Sequence, residues 1–250
     1  MSALVLRIIA CVCMLCDHIG LLLHIEPLRI IGRLAFPIFL FLIFNGYQHT
    51  RSRVRYALRL FLFALLSQIP FSLFTKGVAF PLPTNLNVFF TLLLGLLCIW
   101  SADFLRKDRL LRLLAWLPFA LVFGLFYFGV LRADYGPKGI LMAFTFWLFY
   151  GKGIARGLLT TLGVFVSVFH GLLISYAFQL AFLLLGRQAN FVLPTRWQAL
   201  QLFSLLALPL IFAYNGKRGR LPKRRFAAKS LQLGFYFFYP VHLILLWLLF

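Results

Sequence analysis

The first apolar stretch, Leu4–Leu23, constrains the fold more than any other part of the chain. About twenty apolar residues is the length that crosses a bilayer as a single helix. This stretch nevertheless contains Arg7 near its start and the adjacent pair Asp17 and His18 deep inside. Because an ionisable side chain inside a membrane helix is costly, these three residues are candidates for a functional site.

The spacing of Arg7 and His18 predicts that they share one face of this helix, about 16 Å apart along its axis. Asp17 lies about 100° round from His18, so the two side chains need not bond each other. A purely structural role is the alternative, because polar side chains also hold membrane helices together through hydrogen bonds.

The rest of the chain repeats the pattern of long apolar runs separated by short basic loops, and 63% of its 250 residues are hydrophobic. We therefore predict an all-α, polytopic membrane bundle of about nine transmembrane helices that forms a single domain over residues 1–250. The nine candidate spans are Leu4–Leu23, Ile30–Phe44, Tyr56–Phe74, Leu86–Ser101, Leu110–Val130, Gly139–Tyr150, Leu158–Leu184, Trp197–Tyr214 and Leu231–Phe250.

Most of the 25 lysines and arginines lie in the loops that follow the second, fourth, sixth and eighth spans. Cytoplasmic loops carry such an excess of basic residues, so the asymmetry predicts a cytoplasmic N-terminus. The net charge of +20 would suggest nucleic acid in a soluble protein. In a membrane protein it instead predicts contact with anionic lipids, and we expect no nucleic-acid partner.

The four cysteines, Cys11, Cys13, Cys16 and Cys98, all fall inside predicted spans. Cys13 and Cys16 form a C-x-x-C pattern, but no histidine or cysteine cluster with zinc spacing accompanies it. We therefore expect neither a redox centre nor a metal site.

Arg33 enters the second predicted span after a short turn and is followed by Pro37, which can kink a helix. Across such a hairpin Arg33 could pair with Asp17, which would spare both charges an unpaired burial. Whether this pair is only structural, or also orients His18 or binds an anion, is open at this point.

Several further polar residues need an explanation. Tyr239 precedes His242 by three positions and shares its helix face, so the two are expected to point into the bundle. His170 stands alone in the seventh span and is expected to make an interhelical hydrogen bond. Asp134 lies in an external turn and is one of only 5 acidic residues, so it could line a site.

Two expectations concern the third and fourth spans. Gln68 and Pro70 are expected to interrupt the third span, because proline removes a backbone hydrogen bond. Asn85 or Asn87 is expected to cap the helix of the fourth.

These motifs together resemble the TraX family, which takes its name from the protein that acetylates the N-terminus of conjugative F-pilin. The stretches that carry the resemblance are Asp17–Gly20, Leu28–Phe39, Asn45–Thr50, Asn87–Thr91, Tyr214–Gly219 and Tyr236–His242. The chain is also distantly similar to the membrane acyltransferase-3 superfamily. In that superfamily the first helix carries a basic residue, ten intervening residues and a histidine, and Arg7 and His18 match this spacing.

The resemblance implies a multi-pass acetyltransferase of the bacterial cytoplasmic (inner) membrane, surrounded by lipids. It would move acetyl from cytoplasmic acetyl-CoA to an amine or hydroxyl of a pilin or another cell-surface molecule. His18 would be the general base or a transient nucleophile, and Asp17 or Arg33 would orient the site. His242 and Tyr239 are candidates for stabilising the oxyanion. No metal is expected.

The phosphates of the donor would be held by basic side chains through charge-assisted hydrogen bonds. The candidates lie in α-helical ends and in the loops Arg51–Arg59 and Lys217–Arg225, and they are Arg7, Arg33, His49, Arg51, Arg53, Lys217 and Arg218. The arginine-rich loops alternatively serve only to orient the helices. Two other functions stay open, namely a transporter with polar residues along its path and a non-enzymatic assembly factor for a surface filament.

Overall fold

The computed structural model describes residues 1–77, 85–188, 190–191, 193–219 and 225–250. Throughout these residues the chain forms helices joined by short turns, and they contain no β-strand, so the prediction of an all-α fold is confirmed. Positions 220–224 of the basic loop before the last helix lie outside the described residues.

Eleven α-helices and two short 3-10 helices follow one another along the described chain. The α-helices are α1 (Ala3–Leu22), α2 (Glu26–Gly32), α3 (Ala35–His49), α4 (Arg53–Lys76), α5 (Val88–Leu105), α6 (Leu117–Tyr127), α7 (Gly136–Phe149), α8 (Ile154–Leu184), α9 (Arg196–Leu200), α10 (Ala207–Phe212) and α11 (Arg225–Leu249). The 3-10 helices are Leu111–Leu114 and Gln201–Leu206.

Within the described residues, six helical segments are long and apolar enough to cross a membrane, which makes this a multi-pass membrane protein. They are Ala3–Leu22, Glu26–His49, Arg53–Lys76, Val88–Leu105, Ile154–Leu184 and Ser230–Leu249. Two shorter apolar helical segments, Leu111–Tyr127 and Gln198–Phe212, accompany them.

Prolines have different effects in two of these segments. The second predicted span is divided into α2 and α3, and Pro37 lies in the first turn of α3, where its missing N–H costs no helical hydrogen bond. By contrast, α4 continues through Pro70 to Lys76, so the predicted interruption of the third span is wrong. The side chain of Gln68 instead forms hydrogen bonds with Asn87 at the start of α5.

Gln68 and Asn87 join α4 to the start of α5. The Asn87 side chain accepts from the Phe89 N–H at 3.0 Å, which confirms the predicted cap. Its amide donates to the Ala64 carbonyl at 2.7 Å and to Gln68 Oε1 at 2.9 Å. Because Asn87 is fully buried, these bonds satisfy a side chain that would otherwise be costly to enclose.

The α1–α2 hairpin is unusually tight. His24 turns the chain in a left-handed backbone conformation, with φ at 56°. A Cβ added to Gly20 would lie 2.8 Å from Cβ of Leu28, and one added to Gly32 would overlap Asp17. These two glycines therefore let the backbones approach closely, as small residues do between membrane helices.

The remaining helices surround α3, which is buried on most of its circumference and contacts α1, α5, α7 and α10. Phe41 at its middle packs against the rings of Tyr150 and Tyr214, with centroids 4.9 and 5.4 Å away. The last helix, α11, packs against α4 and α1. The fold thus brings the first and last helices of the chain together.

Candidate active site

His18 of α1 and His242 of α11 meet directly in the interior. Nδ1 of His18 lies 2.7 Å from Nε2 of His242, which is hydrogen-bond distance. Nδ1 of His242 lies 2.7 Å from the main-chain oxygen of Phe238, one turn earlier on α11. Both ring nitrogens of His242 are therefore already in hydrogen-bond contact. Of the two residues predicted to stabilise the oxyanion, His242 and Tyr239, this leaves the Tyr239 hydroxyl as the available donor.

Aromatic rings enclose the two histidines. The Phe74 ring meets His18 edge-on with centroids 5.1 Å apart, and the Phe238 ring stacks on His242 at 4.9 Å. The Tyr239 ring also packs against His242, with centroids 5.8 Å apart. His242 and Tyr239 are both buried, so this packing fixes the orientation of the rings.

Asp17, next to His18 in the chain, is held by two arginines of the α1–α2 hairpin. Its Oδ1 pairs with the guanidinium of Arg33 and lies 3.5 Å from Nη1 of Arg29. Arg29 also donates to the Asp17 main-chain oxygen at 3.3 Å. The predicted Asp17–Arg33 ion pair is confirmed, with Arg33 buried and Asp17 partly buried.

Asp134 and Tyr135 lie at the same end of the bundle, just before α7. The Tyr135 N–H donates to Oδ1 of Asp134 at 3.0 Å, and the Tyr135 ring stacks on Phe36 with centroids 3.8 Å apart. The segment is held by a short backbone bridge, in which the Asp134 N–H donates to the Leu86 carbonyl at 2.8 Å. Burial raises the pKa of the Asp134 carboxyl, although the nearby Arg33 opposes this.

A cavity of about 500 Å³ extends along α1 from Asp17 and His18 to Arg7. Its volume falls within the range of small-molecule and cofactor sites. Asp134, Tyr135 and Tyr239 also line it, as do residues of α3, α4, α5 and α11. Both Arg7 and His18 line the cavity, which confirms that they share one face of the first helix. Asp134 lines the same cavity, and its membership of a functional site stays a prediction.

The other end of the cavity is strongly basic. Five arginines line it, and we call them the arginine cluster: Arg7, Arg51, Arg55, Arg59 and Arg218. His49 lies among the same lining residues, at the end of α3. Arg59 and Arg7 also pack over aromatic rings of α11, at 5.8 Å from the Tyr236 centroid and 5.9 Å from the Phe235 centroid.

The remaining residues predicted to hold the donor, Arg33, Arg53 and Lys217, are not among the residues that line the cavity. Arg33 is at the histidine end, paired with Asp17. Arg53 stacks over the ring of Tyr47 at 4.7 Å. Lys217 belongs to a segment that runs beside the N-terminus, where its main-chain oxygen accepts from the Ala3 N–H at 2.9 Å.

His170 lies apart from this site. Its Nδ1 is 3.0 Å from the main-chain oxygen of Ser167 in the same helix, and its ring meets Phe123 at 5.7 Å. The contact with Ser167 is thus within α8 rather than the interhelical bond that the sequence predicted. Among the described residues, no group of three or more His, Cys, Asp or Glu side chains could hold a metal ion.

Two features of the site were not predicted from the sequence, namely the contact between His18 and His242 and the individual roles of Arg55 and Arg59 in the cavity lining. The sequence contains an indication of each. The first and last predicted spans run in the same direction and carry their histidines at similar depths, and Arg55 and Arg59 are four residues apart and so share a helix face.

The fold and the site together define a multi-pass helical membrane protein with a buried histidine pair at one end of a cavity and an arginine cluster at the other. The family model described as TraX protein matches residues 2–250, and the chain belongs to the TraX family.

A curated relative is the "Probable fimbrial assembly protein FimC, serogroup H1" of Dichelobacter nodosus. It is 30% identical over 259 residues, and the match covers 98% of this chain and 94% of the relative. No solved structure matches the chain significantly.

Proposed function

We propose that this protein is an integral-membrane acetyltransferase that transfers acetyl from acetyl-CoA to an amine or hydroxyl acceptor. One observation carries the proposal, namely that His18 and the arginine cluster line the same cavity. Acyl transfer from a polyanionic thioester requires cations that bind the phosphates at one end of the site and a base that activates the acceptor at the other. Family membership supports the same chemistry by resemblance.

The donor would enter at the arginine cluster. The phosphates of CoA suit guanidinium groups, which offer several donors in a fixed geometry. Arg7 and His18 are separated by about 16 Å of helix, so an extended pantetheine arm could carry the thioester inward along α1. The aromatic side chains of Tyr56, Tyr236 and Phe235 line this route.

His18 would act as the general base. It would take the proton of the acceptor N–H or O–H as that atom attacks the thioester carbonyl carbon. The carbon–sulfur bond then breaks, the acetyl group stays on the acceptor, and CoA leaves as the thiol. Tyr239 would donate to the oxyanion from its hydroxyl group. Asp17, fixed by Arg33, would hold the end of α1 in place.

The proposed topology has nine spans with a cytoplasmic N-terminus in the bacterial inner membrane. Six long segments, together with α6, α7 and the α9–α10 region, would supply the nine crossings. The basic loops orient the chain so that the arginine cluster faces the cytoplasm, where acetyl-CoA is made. The histidine pair then lies in the outer half of the membrane.

The proposed acceptor class is supported by the name of a relative rather than by the cavity. The name of the Dichelobacter nodosus relative refers to fimbrial assembly, which supports a filament subunit or another cell-surface molecule as the acceptor. The same name favours a second candidate function, a non-enzymatic assembly factor. Acetyl-CoA turnover separates the two, since an assembly factor does not need it.

The test uses the full-length protein in nanodiscs with labelled acetyl-CoA and a panel of amine and hydroxyl acceptors. We expect CoA release and acetylated product with wild type, and loss of both with His18→Ala. His170→Ala is the matched control, because it removes another membrane histidine that lies apart from the cavity. Full activity in a folded His18→Ala protein would refute the proposed role of His18. Absence of acetyl-CoA binding in wild type would favour the assembly or transport alternatives.

A further inference from the structure

We propose that His242 is a positioning residue that fixes the tautomer of His18, so that Nε2 of His18 carries the lone pair that acts as the base. This inference rests on the proposed acetyl transfer for its kinetic consequences, but not for the tautomer itself. It replaces the role in oxyanion stabilisation that the sequence suggested for His242.

The main-chain oxygen of Phe238 determines which ring nitrogen of His242 is protonated. A carbonyl oxygen only accepts hydrogen bonds, so Nδ1 of His242, 2.7 Å away, must carry a hydrogen. A neutral imidazole has one N–H, and Nε2 of His242 is therefore the lone-pair nitrogen. The tautomer of His242 is thus set by its own helix.

The contact between His242 and His18 then determines the tautomer of His18. Nε2 of His242 accepts, so Nδ1 of His18, 2.7 Å away, must donate. The single hydrogen of neutral His18 is then on Nδ1, and its Nε2 is unprotonated. Free histidine side chains favour the opposite tautomer, with the hydrogen on Nε2, so His242 reverses the ordinary preference.

A doubly protonated His242 would allow the opposite arrangement, but the surroundings disfavour it. His242 is 4% exposed and is packed against the rings of Phe238 and Tyr239. Asp17, the carboxylate next to His18 in the sequence, already pairs with Arg33 and Arg29. An imidazolium without a counter-ion in such a place would be costly.

The same chain of hydrogen bonds limits where the proton can go. If His18 takes a proton on Nε2, its Nδ1–H still points at His242, whose own Nδ1–H ends at the Phe238 carbonyl. That oxygen cannot pass a proton on. The proton taken from the acceptor therefore leaves His18 from Nε2, and the departing CoA thiolate receives it. The acceptor N–H or O–H bond breaks, the S–H bond of CoA forms, and His18 returns to its starting state.

Two substitutions of His242 separate positioning from packing. His242→Gln keeps an acceptor oxygen that can face Nδ1 of His18, whereas His242→Leu fills the space without one. Acetyl transfer by His242→Leu should fall at least tenfold in kcat, with the KM for acetyl-CoA within about twofold of wild type. His242→Gln should recover most of this loss. Equal impairment of both folded variants, or full activity of His242→Leu, would overturn the positioning role.

The tautomer itself can be measured without turnover. Nitrogen-15 labelling of the histidines in the full-length protein gives distinct NMR shifts for protonated and unprotonated ring nitrogens, and His18→Ala identifies the His18 signals. We expect Nδ1 of His18 to be protonated and Nε2 unprotonated in wild type, with a shift toward the other tautomer in His242→Leu. A protonated Nε2 in wild type would overturn the proposal. The expected tautomer in a protein that does not turn over acetyl-CoA would instead refute only the proposed function.

Discussion

Gly32 of α2 lies so close to Asp17 of α1 that an added Cβ would overlap the aspartate side chain. This close approach brings Arg33, the next residue, to the Asp17 carboxylate. The ion pair beside His18 therefore depends on a backbone contact that only glycine allows.

Gly32→Ala should destabilise the protein by about 1–3 kcal/mol, the usual cost of forcing an extra carbon into a packed region. Separation of α1 and α2 should also lower activity, since it moves Asp17 and the adjacent His18. Thermal unfolding in detergent measures the first effect. Gly171→Ala is the control, because a Cβ there meets nothing within 4 Å. Equal melting temperatures for the two variants would contradict the tight hairpin.

Asp17→Asn should destabilise the protein more than Arg33→Gln does. Asp17 is the carboxylate that both Arg29 and Arg33 approach, whereas loss of Arg33 leaves Asp17 with Arg29. Because Asp17 is partly buried, the cost should lie below the roughly 3–5 kcal/mol that is typical of removing one partner of a fully buried ion pair. Denaturation of both variants in detergent measures the order. Glu26→Gln, which breaks the exposed pair with Arg196, should leave the stability unchanged.

How much of this could be foreseen from the sequence depends on the distance between partners along the chain. The Asp17–Arg33 pair, the shared face of Arg7 and His18, and the Asn87 cap follow from helix periodicity and short-range geometry, and the structure confirms them. The contact between His18 and His242 joins residues 224 positions apart. Periodicity carries no information about which helices become neighbours.

Arg53 is among the residues predicted to hold the donor, and the geometry of α4 explains why it does not line the cavity. Arg55 and Arg59 share a face of α4, whereas Arg53 lies about 200° round from Arg55 and stacks on Tyr47 instead. Helix α4 continues through Pro70 and packs against α5 and α11, and such contacts between distant segments cannot be inferred from the proline alone.

Arg55→Ala should weaken acetyl-CoA binding by roughly ten- to a hundredfold, as expected for a hydrogen bond to a charged group worth about 1.5–3 kcal/mol. Arg53→Ala is the matched control, two residues away in the same helix. It should bind the donor as wild type does, since its side chain lies against Tyr47. Titration of acetyl-CoA into nanodisc samples measures both. A larger effect from Arg53→Ala than from Arg55→Ala would mean that the donor binds outside this cavity.

Asp134→Asn should raise the melting temperature at neutral pH. Burial raises the pKa of the Asp134 carboxyl above its usual 3.8, so the folded protein retains a proton that the unfolded chain releases. The folded state binds more protons over this window, and its stability therefore falls as the pH rises from about 3.8 toward the raised pKa. Asparagine is neutral throughout and escapes this loss.

Melting temperatures of wild type and Asp134→Asn between pH 4 and pH 8 test the predicted direction of this pH dependence. The advantage of the variant should shrink as the pH falls toward 4, while Glu26→Gln, an exposed change, should show no such trend. A variant that is less stable than wild type at neutral pH would mean that Asp134 is ionised and paired with Arg33.

The proposed binding of acetyl-CoA between the arginine cluster and His18 is tested most directly by a structure of the full-length protein in nanodiscs with a non-hydrolysable thioether analogue of acetyl-CoA. We predict that its phosphates lie among the arginine cluster and that its carbonyl carbon lies within about 3.5 Å of the position an acceptor atom would occupy beside Nε2 of His18. An analogue bound outside the cavity, or one with its acyl end remote from His18, would contradict this mode of acetyl-CoA binding.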